Sequence, residues 1–98
     1  MNVGIYIMTN ASHSTLYVGM STDLPERIAS HKEGLVDGFA KKYRCTILVY
    51  YEGCDSIDHA YIREKQIKGW TRNKKVALIQ MRNPTWNDVY KELIAESV

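Results

Sequence analysis

Two short segments rich in branched and aromatic residues, separated by a polar turn, constrain the fold of this chain more than any other feature. Residues 3–8 and 15–20 are dominated by Val, Ile, Leu, Met, Gly and Tyr, whereas residues 9–14 read Thr-Asn-Ala-Ser-His-Ser. Two apolar runs bounded by a polar, turn-forming run are typical of an antiparallel pair of strands. The sequence therefore predicts a β-hairpin near the start of the chain.

A register that sets Tyr6 opposite Tyr17 also sets Gly4 opposite Gly19, because alternate residues of paired strands share a face. That face would carry two phenols beside two positions without side chains, where something could approach the backbone. The other face would carry a branched set typical of a core: Ile5, Ile7, Leu16 and Val18. The alternative is that tyrosine is simply a good strand residue and that the glycines have no role.

The remainder of the chain alternates helical periodicity with one further strand. The predicted elements are a helix at 24–32, a loop at 34–38, a third strand at 43–52, and helices at 57–68, 72–81 and 84–95, the last begun by Asn83 as N-cap. These elements predict a single domain over residues 1–98. Its predicted class is α/β (α+β), with a three-stranded sheet flanked by helices in the order β-β-α-β-α-α-α. If the second and third strands are parallel, the first lies between them.

Composition narrows the class of protein. No apolar run approaches the ~20 residues of a membrane span, and no signal peptide is visible. Cys45 and Cys54 are too few for a disulfide framework, and no His or Cys pair has the spacing of a zinc site. We expect a cytoplasmic protein with free thiols and no membrane association. The net charge of +2 argues neither for nor against nucleic acid.

Glu64 is the least expected residue in the sequence. It falls on the stripe that Ile57, Ala60, Tyr61 and Ile67 would present on one side of their helix. An acid on a buried face costs several kcal/mol unless it is paired, protonated or bound to a metal ion. The position therefore predicts either a functional carboxylate or an ion pair.

The triplets Gly4-Ile5-Tyr6 and Tyr17-Val18-Gly19 resemble the signature of the GIY-YIG endonuclease superfamily, with Val18 for the usual isoleucine. Residues 63–70, Arg-Glu-Lys-Gln-Ile-Lys-Gly-Trp, and 83–86, Asn-Pro-Thr-Trp, are similar to the small stand-alone bacterial branch of that family. The resemblance implies the three-stranded fold already predicted, and divalent-metal-dependent hydrolysis of phosphodiester bonds.

The resemblance also implies roles for individual residues. Tyr6 would orient or deprotonate the water with Tyr17 beside it, Arg27 would bind phosphate, and Glu64 would hold Mg²⁺ or Mn²⁺. His31 stands where many members have a polar partner, and Asn83 is the candidate for a downstream supporting asparagine. Many members carry a lysine after the second triplet, where this chain has Met20.

Each role has a structural alternative. Arg27 could pair with Glu64 without any catalysis. His31 could be a packing residue, and Asn83 could be only an N-cap. One carboxylate suits Mg²⁺, which keeps several waters and also binds substrate phosphate.

A run of basic residues surrounds Glu64 and includes Lys65, Lys68, Arg72 and Lys75. Such charges are commonly a solvated face, but beside a metal ligand they predict a track for phosphates. We expect nucleic acid as the partner, DNA rather than RNA, in repair or recombination. A module that binds without cutting, and a nuclease subunit that another protein recruits, stay open as alternatives.

Overall fold

The structure, a computed structural model, describes residues 2–36 and 38–96. Its elements are β1 (Gly4–Thr9), β2 (Leu16–Ser21), α1 (Leu24–Lys32), α2 (Phe39–Lys42), β3 (Ile47–Gly53), α3 (Ile57–Lys68), α4 (Arg72–Arg82) and α5 (Tyr90–Glu96). Position 37 of the predicted loop, and positions 1, 97 and 98 of the predicted domain, lie outside the described residues.

The three strands form one sheet in the order β2-β1-β3. Strand β1 runs antiparallel to both neighbours, so β2 and β3 are parallel to each other. The predicted sheet order and element sequence are confirmed, apart from the additional one-turn helix α2. Every residue of β1 is buried, as expected for a central strand covered on both faces.

The predicted register of the hairpin is wrong by two residues. Tyr6 lies opposite Gly19, and Tyr17 lies opposite Met8. The side chain of Asn10 shapes the turn by accepting the backbone N–H groups of Ser14 and Thr15, so pairing ends at Thr9 and Leu16. Because the shift is even, every side chain stays on its predicted face.

Both faces of the sheet are covered by helices. The branched face packs against buried residues of α3 and α4, among them Ala60, Ile67 and Ile79. The tyrosine face packs against Leu24 and Ile28 of α1, with contributions from α2 and α5. The branched face is core as predicted, and the tyrosine face is a second core whose buried side chains include polar groups.

Three local predictions are wrong. Residues 39–42 form helix α2, so β3 begins at Ile47 rather than at 43. Ile57 and Tyr61 are half exposed, although the stripe containing Ala60 and Ile67 is buried. Asn83 ends α4 instead of beginning the last helix, which starts at Tyr90. No helix among the described residues has the length and apolar character needed to cross a membrane.

Candidate active site

The hydroxyl of Tyr6 lies at the centre of the candidate site. Tyr6 is fully buried on β1, and its ring crosses the neighbouring strand at Gly19. A Cβ at Gly19 would collide with Tyr6 Oη, so this position needs a glycine. The group that approaches the backbone at Gly19 is therefore the protein's own tyrosine.

Gly4 has a different reason for lacking a side chain. A Cβ there would collide with the backbone oxygen of Glu52 on β3 and press on Leu24 of α1. Gly4 thus lets β1, β3 and α1 pack closely at the end of the sheet. Both supporting glycines act through packing, and only Gly19 touches the candidate catalytic tyrosine.

Helix α1 brings two side chains to the Tyr6 hydroxyl. Arg27 Nε donates a hydrogen bond to Tyr6 Oη at 3.3 Å, and His31 Nε2 lies 2.8 Å from the same oxygen. Arg27 and His31 are four residues apart, so they project from the same side of the helix. The structure brings together three of the predicted catalytic residues around one oxygen.

Burial determines the protonation of Tyr6. Loss of contact with water raises the pKa of Tyr6 to about 12, although the hydrogen bond and charge of Arg27 act in the opposite direction. The neighbouring Tyr17 and the charge of Glu64 raise the pKa of Tyr6 further. At neutral pH Tyr6 is a neutral phenol that can both donate and accept hydrogen bonds.

His31 is buried against the two tyrosines. Burial, followed by the nearby charge of Arg27, lowers the pKa of His31 to about 4, so the imidazole is neutral at pH 7. Its ring meets those of Tyr6 and Tyr17 edge-on, with centroids 5.3 and 5.1 Å away. The direction of the Tyr6–His31 hydrogen bond follows the tautomer of the neutral ring.

Arg27 has spare hydrogen-bonding capacity. The residue is exposed, and no carboxylate of residues 2–36 and 38–96 lies within ion-pair distance of its guanidinium. The hydrogen bond to Tyr6 is the largest cause of the raised pKa of Arg27. A guanidinium presents five N–H donors in a planar fork, so Arg27 can still bind an oxyanion.

Glu64 lies on α3 with its side chain 15% exposed. Its ion-pair partner is Lys68, at 3.6 Å, so the alternative pairing with Arg27 is not the observed one. Its charge nevertheless acts on Tyr6, whose pKa it raises. Across the described residues, no group of three or more His, Cys, Asp or Glu side chains could hold a metal ion.

Comparison with known proteins gives the lineage. The family described as GIY-YIG catalytic domain matches residues 2–77. The chain belongs to the GIY-YIG family. A UPF0213 protein of Staphylococcus haemolyticus is 35% identical over 78 residues, 80% of this chain and 94% of the relative. A UPF0213 protein of Staphylococcus aureus is 36% identical over 78 residues, which again cover 80% of this chain and 94% of the relative. No solved structure matches the chain significantly. Membership implies a nuclease-like function.

Tyr17, from the second GIY-YIG triplet, borders the site. It is half buried on β2, and its ring centroid lies 6.2 Å from that of Tyr6. It approaches Arg27 closely enough to contribute to the raised pKa of the guanidinium. Tyr17 is therefore placed at the boundary between the buried Tyr6 hydroxyl and solvent.

Asn83 supports a different part of this GIY-YIG chain. The residue is 6% exposed, and its Nδ2 donates to the backbone oxygens of Val49 and Asn87 at 3.0 and 2.8 Å. Its Oδ1 accepts the Asn87 N–H at 3.0 Å. The amide thereby ties the segment after α4 to β3, and these hydrogen bonds do not include Tyr6 or Glu64.

The predicted phosphate track contains residues of two kinds. Lys65 and Lys68 are exposed on α3, and Lys75 is half buried on α4. Arg72 donates to the backbone oxygens of His13 and Ser14, at 2.6 and 3.1 Å, and so holds the hairpin turn. Arg72 has a structural task besides any role toward phosphate.

Sequence reasoning missed an aromatic pair next to Tyr17. Phe39 and Tyr43 lie on and directly after α2, and Phe39 stacks near Tyr17. The available signal is the interleaving of these two rings with Lys41, Lys42 and Arg44. A one-turn helix is too short to show periodicity, so the pattern alone resembles a loop followed by a strand.

Proposed function

We propose that this GIY-YIG protein is an endonuclease that hydrolyses phosphodiester bonds of nucleic acid with the help of a divalent ion. The single observation that carries the proposal is the Tyr6 hydroxyl, bonded to Arg27 Nε and His31 Nε2 beside a guanidinium without a carboxylate partner among the described residues. This arrangement leaves the guanidinium available for phosphate.

In the proposed reaction, Arg27 donates N–H bonds to the non-bridging phosphate oxygens and stabilises the charge that develops there. Tyr6 Oη orients the attacking water. The same phenol oxygen accepts a proton from the water while the proton of the Tyr6 hydroxyl passes to Nε2 of the neutral His31. Bound phosphate favours this transfer, because neutralising Arg27 removes one cause of the lowered His31 pKa.

Glu64 is the proposed ligand for Mg²⁺ or Mn²⁺. The fit is chemical: a largely buried carboxylate with one ammonium at 3.6 Å has oxygen lone pairs to offer. Mg²⁺ commonly uses one or two carboxylates, with water and substrate phosphate completing its shell. When bound, the ion would supply Lewis-acid stabilisation of phosphoryl charge and of the leaving oxygen.

DNA is the proposed substrate in preference to RNA, with the exposed Lys65 and Lys68 beside Glu64 as phosphate contacts. The cytoplasm is the proposed compartment, since Cys45 and Cys54 are both free thiols. Recruitment by a protein partner is a second candidate mode of action. The exposed apolar side chain of Ile62 favours it as a contact point.

The deciding experiment measures cleavage of labelled single-stranded, duplex and branched nucleic acids with Mg²⁺, Mn²⁺ or EDTA. Glu64→Gln should reduce cleavage by about 10²-fold or more at every metal concentration, because the ligand charge is lost while shape is kept. Nucleic-acid binding and Tm should stay near wild type, because the ion pair with Lys68 is long. The matched control is Glu92→Gln, which removes a 3.8 Å ion pair to Arg82.

Wild-type cleavage by the Glu64→Gln protein would remove the metal-ligand role. Early melting of that protein would instead make Glu64 a structural residue. Tight binding by wild type without cleavage of any substrate under any metal would favour the non-cleaving module.

A further inference from the structure

Helix α2 and the residue after it present two large rings to solvent beside the candidate active site. Phe39 is 51% exposed and Tyr43 is 41% exposed. Their ring centroids are 4.7 Å apart, and Phe39 stacks on Tyr17 at 6.4 Å with an interplanar angle of 25°. The rings of Tyr6, Tyr17, Phe39 and Tyr43 thus form a continuous series that runs from the buried hydroxyl to the surface.

The core of the protein does not account for these two rings. Helix α2 is anchored by Ala40, which is 3% exposed and whose carbonyl accepts the N–H of the buried Cys45 at 2.9 Å. Phe39 and Tyr43 lie outside that anchor and keep large apolar surfaces in water. Exposed aromatic rings that adjoin a candidate catalytic site indicate a ligand with a flat, stackable group.

The charges around the two rings specify the ligand further. Lys41, Lys42 and Arg44 lie within two residues of Tyr43 in the sequence, and α2 has no acidic residue in its first turn. Lys42 Nζ lies 5.4 Å from the centroid of the Tyr43 ring. Aromatic platforms set among cations bind single-stranded nucleic acid, because bases stack on the rings while phosphates meet the cations.

We infer that Phe39 and Tyr43 form a stacking subsite for an unpaired nucleobase of the strand whose phosphate lies at Arg27 and Tyr6. The inference rests on the proposed function for the position of that phosphate. It names the substrate class: nucleic acid that is single-stranded, or locally unpaired, at the point of cleavage. A base inside a duplex has both faces covered by its neighbours and cannot use this subsite.

The test measures binding and cleavage separately. Binding is measured in the Glu64→Gln protein, so that the strand is not consumed. The probes are a fluorescent oligonucleotide, an abasic oligomer of equal length and charge, and the corresponding blunt duplex. The base-containing strand should bind about tenfold more tightly than the abasic strand, within the roughly 5- to 150-fold range that one stacked base provides.

Phe39→Leu and Tyr43→Leu are the test variants, since leucine keeps apolar volume and removes the flat ring. Each should lower affinity for the base-containing strand by about 5- to 10-fold, leave the abasic strand unaffected and leave the salt slope unchanged. The control is Met81→Ala, which alters an 81% exposed apolar residue on the opposite side of the sheet. It should preserve the preference for bases.

Equal affinity of the parent protein for base-containing and abasic strands would overturn the inference. So would retention of the base preference in both leucine variants. Cleavage without base preference would leave the proposed hydrolysis standing and remove the stacking subsite. Base-dependent binding without any cleavage by wild type would leave the stacking subsite standing and remove the proposed hydrolysis.

Discussion

Two tyrosine–arginine groups lie on opposite faces of the same sheet, and they are built differently. On one face, Tyr6 Oη accepts from Arg27, whose guanidinium has no carboxylate partner among the described residues. On the other face, Tyr50 Oη donates to Glu52 at 2.6 Å. Arg63 donates to both oxygens of that carboxylate, at 2.7 and 3.1 Å.

The second group is closed, because every charge in it is neutralised within the protein. Burial alone would raise the pKa of Glu52, but hydrogen bonds from Arg63 and Tyr50 outweigh burial and lower it. The first group is open, because a cation faces a phenol whose pKa burial has raised to about 12. A closed group stabilises the fold, whereas an open group has interactions left for a ligand.

We expect the largest difference in cleavage between variants of the two arginines, Arg27 and Arg63. Arg27→Met should lower kcat/KM for cleavage by about 10²- to 10³-fold, because it removes donors to the developing phosphoryl charge. Its Tm should change little, since the side chain is exposed. Arg63→Met should leave kcat/KM near wild type. It should lower the free energy of unfolding by about 1–3 kcal/mol, because the partly buried Glu52 loses its partner. If the two variants exchanged these results, the open and closed assignments would be reversed.

We expect the second-largest difference in cleavage between variants of the two tyrosines, Tyr6 and Tyr50. Tyr6→Phe should lower cleavage by about 10²-fold, because the hydroxyl that orients the water is gone. It should also lower the free energy of unfolding by about 1–3 kcal/mol, because the buried His31 loses its hydrogen-bond partner. Tyr50→Phe should have a similar effect on stability and none on cleavage. Chemical denaturation and steady-state rates measure both quantities, and equal rates for the two variants would refute a catalytic Tyr6.

A smaller effect should appear in the pH dependence of stability. The pKa of His31 falls from 6.5 to about 4 on folding, so below pH 6.5 the unfolded chain binds the proton more readily. The stability that the neutral ring provides is complete above pH 6.5 and is lost as the pH falls toward 4. Between about pH 7.5 and pH 5 this amounts to roughly 2 kcal/mol.

The glutamine side chain of His31→Gln cannot titrate. As the pH falls between the same two values, the free energy of unfolding of this variant should therefore decrease by less than that of wild type, and the difference should equal the His31 contribution. Urea titrations at the two pH values measure the difference. Identical pH dependence for wild type and His31→Gln would show that the imidazole is not neutralised by burial.

The parts of the fold that local sequence determines were predictable. The bounds of α1 and α3 match the prediction because their signals are near in sequence: Pro25 opens α1, and Ser56 accepts the N–H of His59 at the start of α3. The faces of the hairpin were predictable because strand periodicity alone determines them.

The parts that depend on distant residues were not predictable. The hairpin register depends on the Tyr6 ring lying against Gly19 of the neighbouring strand. The role of Asn83 depends on Val49, 34 residues earlier. For the site, the family motif supplied the residue types, but the Tyr6–His31 hydrogen bond joins residues 25 apart and needed the structure.

We expect the smallest difference between variants of the basic residues, and the quantity that differs is the salt dependence of nucleic-acid binding. The exposed lysines of α3, Lys65 and Lys68, make no hydrogen bond to a backbone carbonyl within the described residues, whereas Arg72 is held by the oxygens of His13 and Ser14. Binding of nucleic acid releases condensed counterions, so the logarithm of affinity falls linearly with the logarithm of salt concentration. The lysines should therefore contribute to this slope more than the arginine does.

The double variant Lys65→Gln, Lys68→Gln should make that slope shallower by about 1.5, because each phosphate that is no longer neutralised accounts for roughly 0.7–0.9 of the slope. Arg72→Gln should change the slope less and should instead speed hydrogen exchange at the turn, because the carbonyls of His13 and Ser14 are no longer held. Lys91→Gln, on the exposed side of α5, is the charge-matched control. Titrations of a labelled oligonucleotide in EDTA at several salt concentrations measure the slopes. A larger change for Arg72→Gln than for the lysine pair would place the phosphate track at the hairpin turn.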